Sequence, residues 1–140
     1  TYYRRTDASY DANLSWMFDG IEDEIIGDFG FSGGGAAGYE LDRVEPRLGT
    51  PEGATIVAVS ENHPDHFVMP PEQWLTHVKT WSGPPEKELI RADMVYFDCP
   101  GGGSVFSVGS ITFCGSLPFN GFDNNVSRLL TNVFNRFLQE

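Results

Sequence analysis

"SGGGAAGYELDR" spans residues 32–43 and carries G-x-G-x-x-G at Gly33, Gly35 and Gly38. With a strand leading in and a helix leading out, this would be the phosphate-binding turn of a doubly wound nucleotide fold. Without them, the glycines serve only to let backbones approach closely. Residues 25–31 read as a short strand, and residues 36–45 as a short helix stopped by Pro46. Glu61 ends the next strand about twenty residues on, where a ribose-binding carboxylate would stand. Against the nucleotide reading, the first strand holds Gly27, Asp28 and Gly30, and the helix is short. Glu40 and Asp42 follow the loop at once and would repel a pyrophosphate. The functional alternative is carboxylate presentation. The loop would hold Glu40 at the floor of a pocket beside Tyr39, with Asp42 and Arg43 as a neighbouring pair. The plain alternative is a surface or salt-bridged Glu40.

Working outward, residues 54–60 (ATIVAVS) are the clearest strand, an apolar, β-branched run suited to burial on both faces. Residues 94–97 and 104–109 are two further strands, and the turn Pro100-Gly101-Gly102-Gly103 between them makes a hairpin. Residues 61–83 read as loop, and residues 1–24 as irregular. At the other end, Val126, Leu129, Leu130, Val133, Phe134, Phe137 and Leu138 repeat at i, i+3, i+4, i+7, i+8, i+11 and i+12. That is an amphipathic helix packing on the sheet, capped by Asp123 or Asn124, with Arg136 in its last turn. The fold class is α/β or α+β: a mixed sheet with few helices and a C-terminal amphipathic helix.

The 140 residues suit one domain, 1–140, which can bury roughly 68–70% of its unfolded surface. The chain starts at Thr1, and the expectation is a C-terminal fragment cut from a longer polypeptide. With 20 acidic and 9 basic residues the net charge is −11, which opposes nucleic acid and anionic membrane surfaces as partners. The cluster at residues 19–24 lacks EF-hand spacing and reads as a solvated acidic turn. Two cysteines make no disulfide framework, and no apolar run is long enough to span a membrane, so a cytoplasmic setting is expected.

Three other stretches invite chemistry. His63, Asp65 and His66 have the composition of a facial metal triad, but one compact loop rarely wraps a metal alone, so an exposed loop is expected. Cys99 has Asp98 before it, which disfavours a thiolate, and lacks the strand-to-helix elbow of a nucleophile. Cys99 and Cys114 are both read as buried structural thiols. Residues 120–125 (NGFDNN) read as a turn plus helix cap rather than a polar pocket.

The strings "GGGAAGYELDRVEPRLGTP" (33–51), "IRADMVYFDCPGGGSVFSVGSITFCGSLP" (90–118) and "DNNVSRLLTNVFNRFL" (123–138) resemble the C-terminal region of the large (beta) subunit of the N,N-dimethylformamidase family. The resemblance implies an amidohydrolase that splits N,N-dimethylformamide into dimethylamine and formate. It implies an oligomer in which this segment closes a glutamine-amidotransferase-like domain, with the rest of the large subunit, a small subunit and a small amide substrate as partners. It implies a mononuclear iron held by tyrosine and glutamate side chains upstream, so no metal ligand and no cofactor are assigned to this segment alone. Glu40 is the one residue placed at the active site, as an outer-shell carboxylate or base. The alternative is a non-catalytic scaffold or subunit-contact module of a related protein.

Overall fold

The computed structural model describes residues 1–73 and 86–139. Five strands form one sheet: β1 (Tyr2–Arg5), β2 (Ile25–Ile26), β3 (Thr55–Glu61), β4 (Asp93–Asp98) and β5 (Ser104–Ser107). Their order is β2-β1-β3-β4-β5. The apolar run at 54–60 thus becomes the central strand, flanked on both edges. Register sets Tyr3 opposite Ile26 and Ser60, and Ala58 opposite Met94, so that Tyr3, Ile26, Ala58 and Met94 share one fully buried face. A bulge between Ile56 and Ala58 re-aims the strand without losing that face.

All four pairings are antiparallel, so the α+β form of the expectation holds and the sheet is not mixed. The tight turn at 100–103 allows nothing else between β4 and β5, because a parallel pair needs a long crossover. Cys99 N donates to Gly103 O at 2.9 Å and closes that turn.

The first 24 residues are not irregular. β1 is the second strand of the sheet, and short 3-10 helices follow at Asp7–Tyr10 and Ser15–Phe18. The strand expected over 25–31 shrinks to Ile25–Ile26, because Gly27 turns the chain at φ 71° while its amide donates to Asn125 Oδ1 at 3.1 Å. The helix expected over 36–45 is absent. Ala36, Ala37 and Gly38 donate their amides to Gly27 O, Thr1 O and Ser110 Oγ, so a helical ladder cannot use them. Pro46 opens a 3-10 turn at Pro46–Leu48 rather than stopping a helix. Of the loop expected over 61–83, Glu61 belongs to β3, residues 62–70 are irregular and 71–73 helical; residues 74–83 lie outside the described residues.

Beyond the helical residues 71–73, the described chain has α1 (Glu86–Leu89), α2 (Phe113–Ser116) and α3 (Asn125–Phe137). The cap of α3 is Asn124, whose Oδ1 accepts from Ser127 N at 2.8 Å. Val126, Leu129 and Val133 are buried in the same core as Tyr3 and Met94. Each such side chain contributes roughly 1.5–3 kcal/mol when fully buried. Asn132 Nδ2 donates to Met17 O and Asp19 O, both at 2.9 Å, and locks the helix to the second 3-10 turn. Arg136 lies in the last turn, its guanidinium 5.5 Å from the Trp16 ring centre.

Candidate functional site

The glycine loop is held against the sheet, not open to a ligand phosphate. A Cβ at Gly35 would stand 1.9 Å from Thr1 O, so only glycine lets the loop lie on the start of β1. Downstream, Leu41 bridges Ser110, Asp42 N donates to Gly109 O at 2.8 Å, and Asp93 N donates to Asp42 O at 2.9 Å. The buried Asp93 carboxylate accepts from Val44 N at 2.8 Å and Arg91 Nε at 2.9 Å. Residues 38–44 are therefore stitched along the ends of β4 and β5. The amides that a phosphate would need at 36–38 are already spent, and the nucleotide reading falls. Glu61, its second carboxylate, is bound by Arg4 across the β1–β3 pair at 2.7–3.1 Å.

Stitching leaves Tyr39 and Glu40 exposed, on one wall of a cleft of about 330 Å³. The facing wall carries Phe67, Val68, Met69 and Pro70, with Leu89 and Ile90 from α1 and the residue after it. Tyr39 sits at φ 63° although it is not glycine. A bulky residue there costs roughly 1–3 kcal/mol, a strain that clusters at functional sites. Ala36 and Ala37 are buried beneath the loop, while Glu40 itself faces out. Arg43 does not pair with Asp42. Its guanidinium reaches Gln73 Oε1 at 3.3 Å and Leu89 O at 3.5 Å, with Glu45 at 3.9 Å. Its buried Nε has no hydrogen-bond partner among the described residues. Glu45 is committed elsewhere: hydrogen bonds from Arg47 hold its carboxyl at about 2.

Phe67, Val68 and Ile90 also border a second cleft of about 540 Å³, lined by Ser60, Asn62, His63, Asp65, Lys87 and Arg91. His63 turns inward, its Nε2 2.6 Å from Ser60 Oγ. Burial is the main cause that lowers its pKa to about 4, so the ring is neutral at neutral pH. Asp65 instead meets Lys87 at 3.3 Å, and His66 lies against Phe67. His63 and His66 both flank the Phe67 ring, while His63 Nε2 turns to Ser60 and Asp65 to Lys87. Among the described residues no group of three His, Cys, Asp or Glu is placed to hold a metal.

The cysteines are not buried as expected. Cys99 is half-buried in the β4–β5 turn and Cys114 is exposed. On α2 Phe113 takes the core position and Gly115 packs on Ser32, which leaves Cys114 facing out. Residues 19–24 form an exposed turn around buried Ile21, with Asp23 accepting from Asn125 at 2.9 Å. Residues 120–125 are turn and cap, as expected; Asn124 Nδ2 also donates to Leu117 O and Phe119 O. The strain at Tyr39 and the approach of Arg43, Lys87 and Arg91 carried no sequence signal. No helix among the described residues is long and apolar enough to cross a membrane.

Residues 1–126 match a family described as N,N-dimethylformamidase beta subunit-like, C-terminal. The chain is 42% identical over 141 residues to the N,N-dimethylformamidase beta subunit of Paracoccus aminophilus. It is 40% identical over 141 residues to the protein of the same name from an Alcaligenes species. Each alignment takes in 99% of this chain and 18% of the relative, so the chain spans less than a fifth of their length. The chain belongs to the N,N-dimethylformamidase beta subunit-like family, in its C-terminal region.

Proposed function

We propose that the chain is the C-terminal segment of an iron-dependent amidohydrolase that converts N,N-dimethylformamide to dimethylamine and formate, and that it forms one wall of the active site. The identity of 42% across 99% of the chain to a dimethylformamidase subunit carries this reading. In it, the segment closes a glutamine-amidotransferase-like domain of a larger subunit, with a small subunit completing the oligomer.

The described residues do not supply an iron site, since they bring no three ligating side chains together. The iron of this reading is ligated elsewhere in the polypeptide. The wall offered by this chain is the cleft of Tyr39 and Glu40. Glu40 orients the attacking water and takes its proton as the oxygen adds to the formyl carbon. Cleavage of the C–N bond then returns a proton to the departing amine. The strained Tyr39 fixes the backbone from which that carboxylate projects, which supports its placement at a site rather than on a free loop.

The test is metal analysis of the intact protein carrying this segment, with formate and dimethylamine release from N,N-dimethylformamide. Stoichiometric iron with turnover is expected. A folded intact protein with no iron and no amide turnover overturns the reading.

A further inference from the structure

The apolar stripe of α3 is broader than the core it serves. Val126, Leu129 and Val133 are buried, yet Phe134 is 56% exposed and Leu138 84%. Leu130 and Phe134 line a groove of about 390 Å³ together with Leu117 and Phe122. Phe122 is 64% exposed and stands at φ 70°, directly after Asn120 at 51° and Gly121 at 65°. Three successive left-handed residues, two of them not glycine, hold an aromatic ring out from the body of the protein. Next to it Phe119 stacks on Phe29 at 4.7 Å and meets Phe31 at 5.9 Å, and Phe31 is 73% exposed. Clustered exposed apolar and aromatic side chains mark an interface.

We propose that the surface from Phe31 through Phe119 and Phe122 to Phe134 seats an apolar element of the same polypeptide, drawn from the part that precedes this segment. The proposal rests on reading the chain as the C-terminal part of a larger subunit. Two observations select that occupant. Its relatives carry more than four-fifths of their length outside the matched region. A covalently attached partner has an effective concentration of order millimolar and fills such a face first. A second copy would instead bring a net charge of −11 against −11, a repulsion that the offsetting Asp123 and Arg128 of the groove do not relieve.

The experiment uses the intact protein with Cys99→Ser and Cys114→Ser as background. Phe122→Cys and Phe134→Cys are made singly, and maleimide labelling rates are compared in the native and the urea-unfolded protein. Protection on the order of 100-fold in the native state is expected. Photoreactive p-benzoylphenylalanine, which keeps the ring, is also placed at position 134. Its cross-link is expected to leave the subunit's mass unchanged on a denaturing gel and to join a peptide upstream of this segment. Labelling at the unfolded rate, or a cross-link to a different subunit or a second copy, overturns the proposal. Amide hydrolysis is measured on the same samples. An active protein with an open surface overturns only this inference, while a covered surface in a protein without iron or turnover overturns only the activity.

Discussion

The hydroxyl of Ser60 lies 2.6 Å from Nε2 of His63 and accepts the amide of Ala92 at 2.7 Å. One hydrogen bridges Oγ and Nε2, in a direction that the tautomer of the ring sets. Nδ1 of the same ring is buried and has no hydrogen-bond partner among the described residues. The loop after β3 is therefore tied through Ser60 to Ala92, the residue before β4, by an imidazole whose charged form burial disfavours.

Stability follows from that pair. His63 falls from an ordinary 6.5 to about 4, chiefly through burial. Between those values the unfolded chain binds a proton that the folded chain does not, so stability is lost as pH drops from about 6.5 toward 4. The ring is half-exposed, so the loss by pH 5 is about 1 kcal/mol after discounting for solvent. Urea midpoints at pH 7 and pH 5 check this. His63→Gln is expected to flatten the slope in that window. The carboxyl of Glu45, held at about 2 by Arg47, contributes only at lower pH. Equal slopes in the two proteins would show that His63 titrates as a free imidazole.

Asn124→Ala removes the α3 cap and two further bonds, to Leu117 O and Phe119 O. A loss of about 1–2 kcal/mol is expected. Asn124→Ser restores the cap but not the amide donors, and an intermediate midpoint in urea is expected. A serine variant no better than alanine would mean that the amide donors, not the cap, carry the effect.

Gly35→Ala drives a methyl to 1.9 Å from Thr1 O, whereas a methyl at Gly101 meets nothing within 4 Å. The first change is expected to cost several kcal/mol, of order 3 or more, since the clash is with backbone. The second is expected to stay within about 0.5 kcal/mol. Thermal denaturation of the two variants compares them directly, and similar melting points would contradict the close approach of the glycine loop to β1.

Leu129→Ala empties a fully buried position of α3. Core leucines lose about 2–5 kcal/mol on truncation. A loss below 1 kcal/mol in urea titration would place the helix outside the cooperative core.

Under the proposed function, Glu40→Gln in the intact protein is expected to lower kcat by about 10²–10⁴-fold, the ordinary worth of a general base. Glutamine keeps the volume, and Glu40 is exposed within this chain, so melting point and iron content are expected to hold. Wild-type turnover in a folded, iron-replete variant would leave Glu40 a surface carboxylate.

What the sequence settled by itself is local. The unbroken apolar run at 54–60 had to be a buried strand, the glycine turn at 100–103 had to close a hairpin, and the spacing from Val126 to Leu138 had to be a helix. Each rests on interactions between residues close in the chain, where periodicity is a direct physical record. Glu40, too, was picked out locally, as a carboxylate beside a glycine loop. Tertiary structure decided the rest. β1 gave little sequence signal, because a four-residue strand becomes one only when β2 and β3 pair with it on both sides. Residues 36–45 lost their expected helix to hydrogen bonds with Thr1, Gly27 and Ser110, partners up to 72 residues away. Tyr39 follows them in a left-handed conformation, and residues 67–70 and 89–90 line the cleft with it, a juxtaposition that local spacing does not encode. The stripe of α3 likewise does not say how much of itself is core. That depends on where Met17 and Phe18 stop covering it, a boundary set by packing between distant segments and not by spacing along the helix.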